Sequence, residues 1–271
     1  MNRKQRQRLA EDTIAVLERG QYQVDGATVS LRDAIDRAIE GTVEYPPERE
    51  VANPPAGDAA TRVRVENIGA LAAARRLLDE GHARVCVLNF ASAYLAGGGW
   101  LRGSQAQEEA LVRVSALYPS LLAAPRYYAY HKQRQDPMHS DYAIYSPAVP
   151  VFREARGELL SAPWPCSFVT CPAVQAKKVR AAGGSEGAIE SAMARRVARV
   201  LAIMALHGHD AIVLGAWGCG VFGNAPETIA ELFASQLRGE FTGVFSAVDF
   251  AVLDFSDSLA TLRPFQRALT P

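Results

Sequence analysis

No charge of one sign dominates this chain: 29 Lys and Arg face 29 Asp and Glu, and the net charge is zero. That balance excludes attachment to a polyanion through a bulk basic field, so direct nucleic-acid binding is not expected and an anionic ligand needs a local site. Cysteine is scarce as well. Cys86, Cys166, Cys171 and Cys219 are scattered, three of them in apolar, strand-like runs. No CxxC pair and no Cys/His ligand spacing occurs, which points to buried, reduced thiols in a cytoplasmic protein. The basic start Met1–Arg8 lacks the apolar core of a signal peptide, and no apolar run reaches membrane-spanning length. There is no internal repeat and no low-complexity tract. No group of His, Cys, Asp and Glu has metal-ligand spacing, and His207 with His209 reads as a helix end; no metal and no cofactor is expected.

What is present suits a large globular body. The 271 residues lie at the upper end for one domain, and 49% of them are apolar. Residues 3–19 carry Leu9, Ile14, Val16 and Leu17 at helical spacing, and a second short helix begins near Ser30 with Ala34, Ile35, Ala38 and Ile39. Tyr45–Asp58, rich in Pro and Gly, reads as a linker. Residues 1–58 are therefore expected to form an N-terminal helical extension and linker, wrapped on a main domain of residues 59–271.

From Thr61 onward strand and helix signals alternate. Strands are expected at Arg62–Glu66, Val85–Phe90, Tyr142–Tyr145, Phe168–Cys171, Ala211–Leu214 and Ala247–Phe255. Helices are expected at Ile68–Asp79, Ile189–Leu206 and Thr228–Leu237. The alternation predicts an α/β fold, a mixed and largely parallel sheet with helices on both faces. Val85–Phe90 is continuously apolar but for Asn89, the pattern of a strand buried on both sides.

Two glycine-rich loops leave the carboxyl ends of such strands, where open α/β sheets place their ligands. The first is Gly97-Gly98-Gly99, followed by Gln107-Glu108-Glu109. Glycines let a backbone approach a sugar or an anion closely and adopt positive φ. Ser104-x-x-Gln107 reads as a capping box, which puts both glutamates in the second helical turn, Glu108 over Leu111 and Val112, Glu109 over Val112 and Arg113. A half-buried carboxylate beside a second one holds its proton to higher pH, as a general acid must. The second loop is Gly215–Asn224, with Pro226 opening a helix and Asn224 as its expected cap; free N–H groups and the helix dipole suit a diphosphate. A side chain at Gly220 is expected to obstruct that ligand and to conflict with the local φ. Gly218-x-Gly220-x-x-Gly223 also fits a dinucleotide fingerprint with Asp249 as a ribose partner, which leaves an oxidoreductase open.

Three glycines, seven spacer residues and Gln107-Glu108-Glu109, flanked by Leu88–Ser92 and Arg113–Tyr118, resemble the signature of the compact bacterial-type poly(ADP-ribose) glycohydrolases. The resemblance spans about residues 60–255. It implies a macrodomain-like fold, a glycosidase that acts on poly(ADP-ribose) and ADP-ribosylated proteins and releases ADP-ribose, and a setting in the DNA damage response. Carried over by position, Glu109 would be the catalytic acid/base and Glu108 would hold ribose hydroxyls. Gln107 would order the loop, Gly97, Gly98 and Gly99 would shape the site, and Asn89 would orient the terminal ribose. Gly218, Cys219, Gly220, Val221 and Gly223 would bind the diphosphate, and Phe222 would pack on a ribose or the adenine. The enzyme would work from the free chain end, with Arg263–Pro271 covering the pocket. A non-catalytic ADP-ribose-binding macrodomain remains the alternative; it would need the loops but not the glutamates.

Overall fold

The computed structural model describes residues 1–270; Pro271, the end of the tail expected to cover the pocket, lies outside them. Helix α1 (Arg3–Arg19) starts at Asn2, whose side chain and that of Gln5 form a capping box, and stops at the left-handed Gly20 (φ 67°). Strands β1 (Gln21–Val24) and β2 (Ala27–Ser30) make a hairpin. Its two turn residues, Asp25 and Gly26, have φ of 50° and 78°, the geometry that favours Asp-Gly in tight hairpins. Helix α2 (Arg32–Glu40) follows, then the short strand β3 (Val43–Tyr45).

The main sheet has seven strands in the order β3-β6-β7-β5-β8-β9-β4. These are β4 (Arg62–Glu66), β5 (Val85–Phe90), β6 (Ala143–Arg153), β7 (Leu159–Cys171), β8 (Ala211–Leu214) and β9 (Ala247–Ala251). Strands β7, β5, β8, β9 and β4 run parallel; β6 and β3 close one edge antiparallel. The N-terminal residues thus add an edge strand to the same sheet. Alternate residues of β5 enter the cores on its two sides, Cys86 and Leu88 on one, Val85 and Val87 on the other. One core is built with α7 (Ala176–Ala181), α8 (Glu186–Leu206), α9 (Pro226–Arg238) and α10 (Leu262–Leu269). The other includes α1, α2, α3 (Ala70–Asp79), α4 (Gln107–Val114), α5 (Leu117–Leu122) and α6 (Pro125–Arg134). Each fully buried aliphatic side chain there stabilises the fold by about 1.5–3 kcal/mol.

Strands β6 and β7 are much longer than the apolar runs Tyr142–Tyr145 and Phe168–Cys171 predict. Pro147, Pro150, Pro163 and Pro165 interrupt the pattern, yet register shifts between Ser146 and Val149 absorb part of the disruption. The expectation for the C-terminal tail is overturned. Helix α10 packs on α9 and β4, with Phe265 against Phe250 at 5.8 Å. The ground beside the first glycine loop is held by α1 instead: Arg3 Nε donates to Arg102 O (3.0 Å) and Arg6 Nε to Gly103 O (2.8 Å).

Candidate active site

Strands β5 and β8 are parallel neighbours, so the loops that follow them leave the sheet side by side. The first loop runs past Gly97 (φ 69°) and Gly98 (φ 61°) into a single 3-10 turn, Trp100–Arg102. The glycines serve the carboxylates directly. A Cβ on Gly98 would stand 2.6 Å from Glu109 Oε1 and 3.2 Å from Glu108 Oε2. Both carboxylates therefore converge on one point of backbone, where no L side chain fits.

Helix α4 begins at Gln107, and its N-cap is Ala106 with no capping side chain. The Ser104 capping box does not form, and both glutamates sit in the first turn instead of the second. Gln107 explains the change. Its Nε2 donates to Leu88 O (2.7 Å) and its Oε1 accepts from Phe90 N (2.9 Å), which ties the helix start to the end of β5. A tertiary contact thus replaces the local cap.

The two glutamates are held differently. Glu108 is 2% exposed and accepts from Ser92 N (2.7 Å) and Asn89 Nδ2 (3.3 Å). Burial pushes its carboxyl up to about 8; the Ser92 and Asn89 donors oppose this, and the neighbouring Glu109 charge adds to it. Glu109 is 9% exposed; its Oε1 accepts from Gly99 N (3.0 Å), and its Oε2 has no protein partner. Glu109 Oε2 is thus a buried carboxylate oxygen without a protein hydrogen bond, while Glu108 is pinned. Asn89 is fully buried; its Nδ2 donates to Glu108 (3.3 Å) and Thr170 Oγ1 (3.1 Å), and its Oδ1 has no protein partner. Arg113, also buried, donates to Ser104 O (2.7 Å) and lies in the field of Glu109; burial lowers its pKa only to about 10, so it stays charged.

In the second loop Gly218 and Gly223 have φ of 75° and 71°, and no side chain fits at Gly218 beside Asn224 and Ala173. Gly220 is different: its φ is not left-handed, and a Cβ there would meet nothing within 4 Å. The backbone itself does not require glycine at that position, contrary to the sequence expectation. Asn224 is not the cap of α9 either. That cap is Ala225, and Asn224 Nδ2 donates to Val174 O (2.8 Å) and Gly218 O (3.1 Å), closing the loop on itself. Among the described residues the amides of Gly220, Val221 and Phe222 donate to no protein group. Val221 is 82% exposed, Cys219 is half-buried, and Phe222 packs on His139 with ring centroids 5.7 Å apart.

Asp249, the ribose candidate of the dinucleotide reading, is 1% exposed and ion-paired with Arg64 and Arg76, each at 2.8 Å, so it is closed to a ligand. Among the described residues no group of three or more His, Cys, Asp and Glu is placed to hold a metal, and no helix is long and apolar enough to cross a membrane. His207 caps α8 and stacks on Tyr145 at 3.5 Å. Sequence reasoning placed Arg113 beside Glu109 but missed the Ser92 amide that holds Glu108, and Tyr127, whose hydroxyl donates to Ser92 O (3.3 Å). The only hint of the first was that Ser92 ends the Leu88–Ser92 stretch that carries the resemblance.

The microbial-type PARG catalytic-domain family matches residues 10–154, from within α1 to the end of β6, farther toward the N-terminus than the sequence resemblance reached. The chain is similar to the crystal structure of poly(ADP-ribose) glycohydrolase (PARG) from Thermomonospora curvata, with 43% identity and a TM-score of 0.93 over 97% of this chain and 98% of that one. It is similar to the same enzyme bound to the inhibitor ADP-HPD (42%, TM-score 0.90, 97% and 98% covered). The PARG from Deinococcus radiodurans in complex with ADP-ribose also matches, at 38% identity and a TM-score of 0.82 over 92% of this chain and 98% of that one. No curated protein matches.

Proposed function

Because the chain belongs to the microbial-type poly(ADP-ribose) glycohydrolase family, we propose that it hydrolyses the ribose–ribose bonds of poly(ADP-ribose) on modified proteins and releases ADP-ribose. The observation that carries this is the contrast between a pinned Glu108 and a Glu109 whose Oε2 is free of protein partners, both against Gly98. Adjacent glutamates on one helix cannot stand on opposite sides of a bond, as the paired carboxylates of most glycosidases do. One of them must act twice. The pair shares the proton that burial retains near Glu108; carried on Glu109 Oε2, that proton passes to the leaving ribose oxygen as the bond breaks toward an oxocarbenium-like state. Glu109 Oε2 then takes a proton from the water that attacks the anomeric carbon. Glu108, fixed by Ser92 and Asn89, accepts from the ribose hydroxyls and turns the sugar toward Glu109.

The diphosphate lies on the amides of Gly220, Val221 and Phe222 beside the start of α9, with Gly218, Cys219 and Gly223 shaping the turn. Its negative charge, close to the ribose, favours the positive charge of the transition state. Phe222 packs on the sugar. Gly97–Trp100 encloses the terminal ribose; Trp100, 1% exposed and braced by Tyr118 at 5.0 Å, stiffens that wall. Four unpaired thiols, three of them buried, fit a reducing, cytoplasmic setting.

The test is incubation with poly(ADP-ribose). Wild type releases ADP-ribose, and Glu109→Ala loses about 10²–10⁴-fold in rate while its ADP-ribose affinity stays within a few-fold. Binding of the polymer by wild type with no release would make the protein a reader instead; near-normal turnover by a folded Glu109→Ala variant would remove Glu109 from the chemistry.

A further inference from the structure

The turn between α6 and β6 carries a residue that nothing in the reaction above uses. His139 has a left-handed φ of 54°, which non-glycine residues seldom adopt. Its side chain is 8% exposed. Nδ1 lies 2.8 Å from Ala173 O, a carbonyl that only accepts, so Nδ1 bears the hydrogen. Nε2 is then a bare lone pair, buried and without a partner. Two unfavourable features on one buried residue persist only where the surroundings enforce them, and they gather at functional sites.

The surroundings do enforce them. Arg196, 1% exposed on α8, donates to Met138 O (2.6 Å) on one side of the turn and to Pro172 O (3.2 Å) after β7 on the other. It also pairs with Asp141 at 2.9 Å. One guanidinium clamps the turn to the strand end that His139 is bonded to. Beside it Ser140 Oγ lies 2.9 Å from His131 Nε2, and His131 Nδ1 lies 2.8 Å from Tyr127 O. Tyr127 in turn holds Ser92, whose amide binds Glu108.

The ring of His139 lies between both substrate loops. Tyr94, three residues before Gly97, meets it edge-on at 5.6 Å and 77°. Phe222, from the second loop, meets it at 5.7 Å and 58°. We propose that His139 is a positioning residue that sets the spacing between the two loops, holding Tyr94 on one side and Phe222 on the other at the separation one ADP-ribose unit requires. This rests on the loop roles assigned above. Burial keeps the imidazole pKa down at about 4, so the ring stays neutral and packs as an aromatic spacer across the neutral range. The Nδ1–H bond to Ala173 prevents it from turning out of the gap.

The experiment is a double-mutant cycle between His139 and Phe222, read as the Kd for ADP-ribose by calorimetry and as KM and kcat on the polymer. His139→Ala raises Kd and KM about tenfold and leaves kcat within about threefold. His139→Asn, which tolerates the left-handed turn but lacks the ring, loses as much. His139→Phe restores an aromatic ring without the bond to Ala173 O and recovers part of the affinity that His139→Asn loses. Phe222→Ala weakens binding, and adding His139→Ala costs little more, because the two act as one unit. Additive losses, an Asn variant at wild-type affinity, or a kcat loss with Kd unchanged would each overturn the proposal. Melting curves separate folding failure from these outcomes, and the Asn and Phe variants carry the test if the Ala variant does not fold. A wild type that neither binds ADP-ribose nor cleaves the polymer sinks the functional reading and this inference together, whereas additivity in an active enzyme sinks only the inference.

Discussion

At the scale of single residues, the site turns on two neighbouring glutamates that the fold treats unequally. Glu108 keeps its proton in the folded protein up to about pH 8, against 4.5 for an ordinary carboxyl, because it is buried. The native state therefore holds a proton that the unfolded chain releases, and stability falls as pH rises from near 4.5 through 8. Glu108→Gln cannot ionise and escapes this loss. The melting temperature of the variant relative to wild type should rise between pH 5 and pH 8.5, by about 5 °C or more if the linkage is worth a few kcal/mol. A constant difference across that range would show that ionised Glu108 bears no penalty. The presence of the pair is legible in the sequence, as Glu108-Glu109 after three glycines. Which oxygen is free is not, because that depends on Ser92 N and Gly99 N, brought in by chain 16 and 10 residues distant.

At the scale of elements, the two glycine loops make opposite demands. Gly98 is required by the protein itself: φ is 61° and a Cβ would press on Glu109 Oε1 at 2.6 Å. Gly98→Ala should lower kcat about 10²-fold by displacing the carboxylate, with some loss of stability from the strained backbone. Wild-type kcat in that variant would mean that Glu109 tolerates movement. Gly220 is open, with nothing within 4 Å of a Cβ. Gly220→Val should therefore leave the melting temperature unchanged but weaken ADP-ribose binding by about tenfold or more, as seen by calorimetry. Unchanged affinity would place the diphosphate elsewhere. Glycine content marks both loops in the sequence. Only the tertiary structure separates a glycine that its φ and neighbours require from one with open space beside it.

At the scale of the whole molecule, function depends on two loops more than a hundred residues apart meeting at the carboxyl ends of two central strands. The parallel pairing of β5 with β8 brings them together, and the Arg196 clamp and His139 brace the gap. If Gly97–Trp100 encloses the terminal ribose as proposed, cutting should proceed from the free end. Early products, analysed by mass, should be single ADP-ribose units and shortened chains, with a mono-modified protein remaining, as a pocket fitted to a ribose–ribose bond requires. Early release of oligomers would show internal cutting and refute the enclosure. The tail once expected to complete it packs on α9 and β4, while α1 lies against the turn after Trp100.

The sequence by itself determined the α/β alternation, the buried strand β5, the two glycine loops and the paired glutamates, because these rest on periodicity, local φ preference and short spacing. Prolines concealed the lengths of β6 and β7, and the chain alone did not reveal that β3 joins the main sheet as an edge strand. Tertiary structure alone decided that Gln107 anchors to β5 instead of completing a cap, that Asn224 closes its loop instead of capping α9, and that Asp249 is consumed by Arg64 and Arg76. Gln107 and Asn224 had a plausible role nearby in sequence and Asp249 a plausible ligand, yet each has a better partner across the fold. The distant partner wins because a buried polar group must be satisfied by whatever donor or acceptor the packed core brings within reach, and that inventory exists only after the sheet has formed.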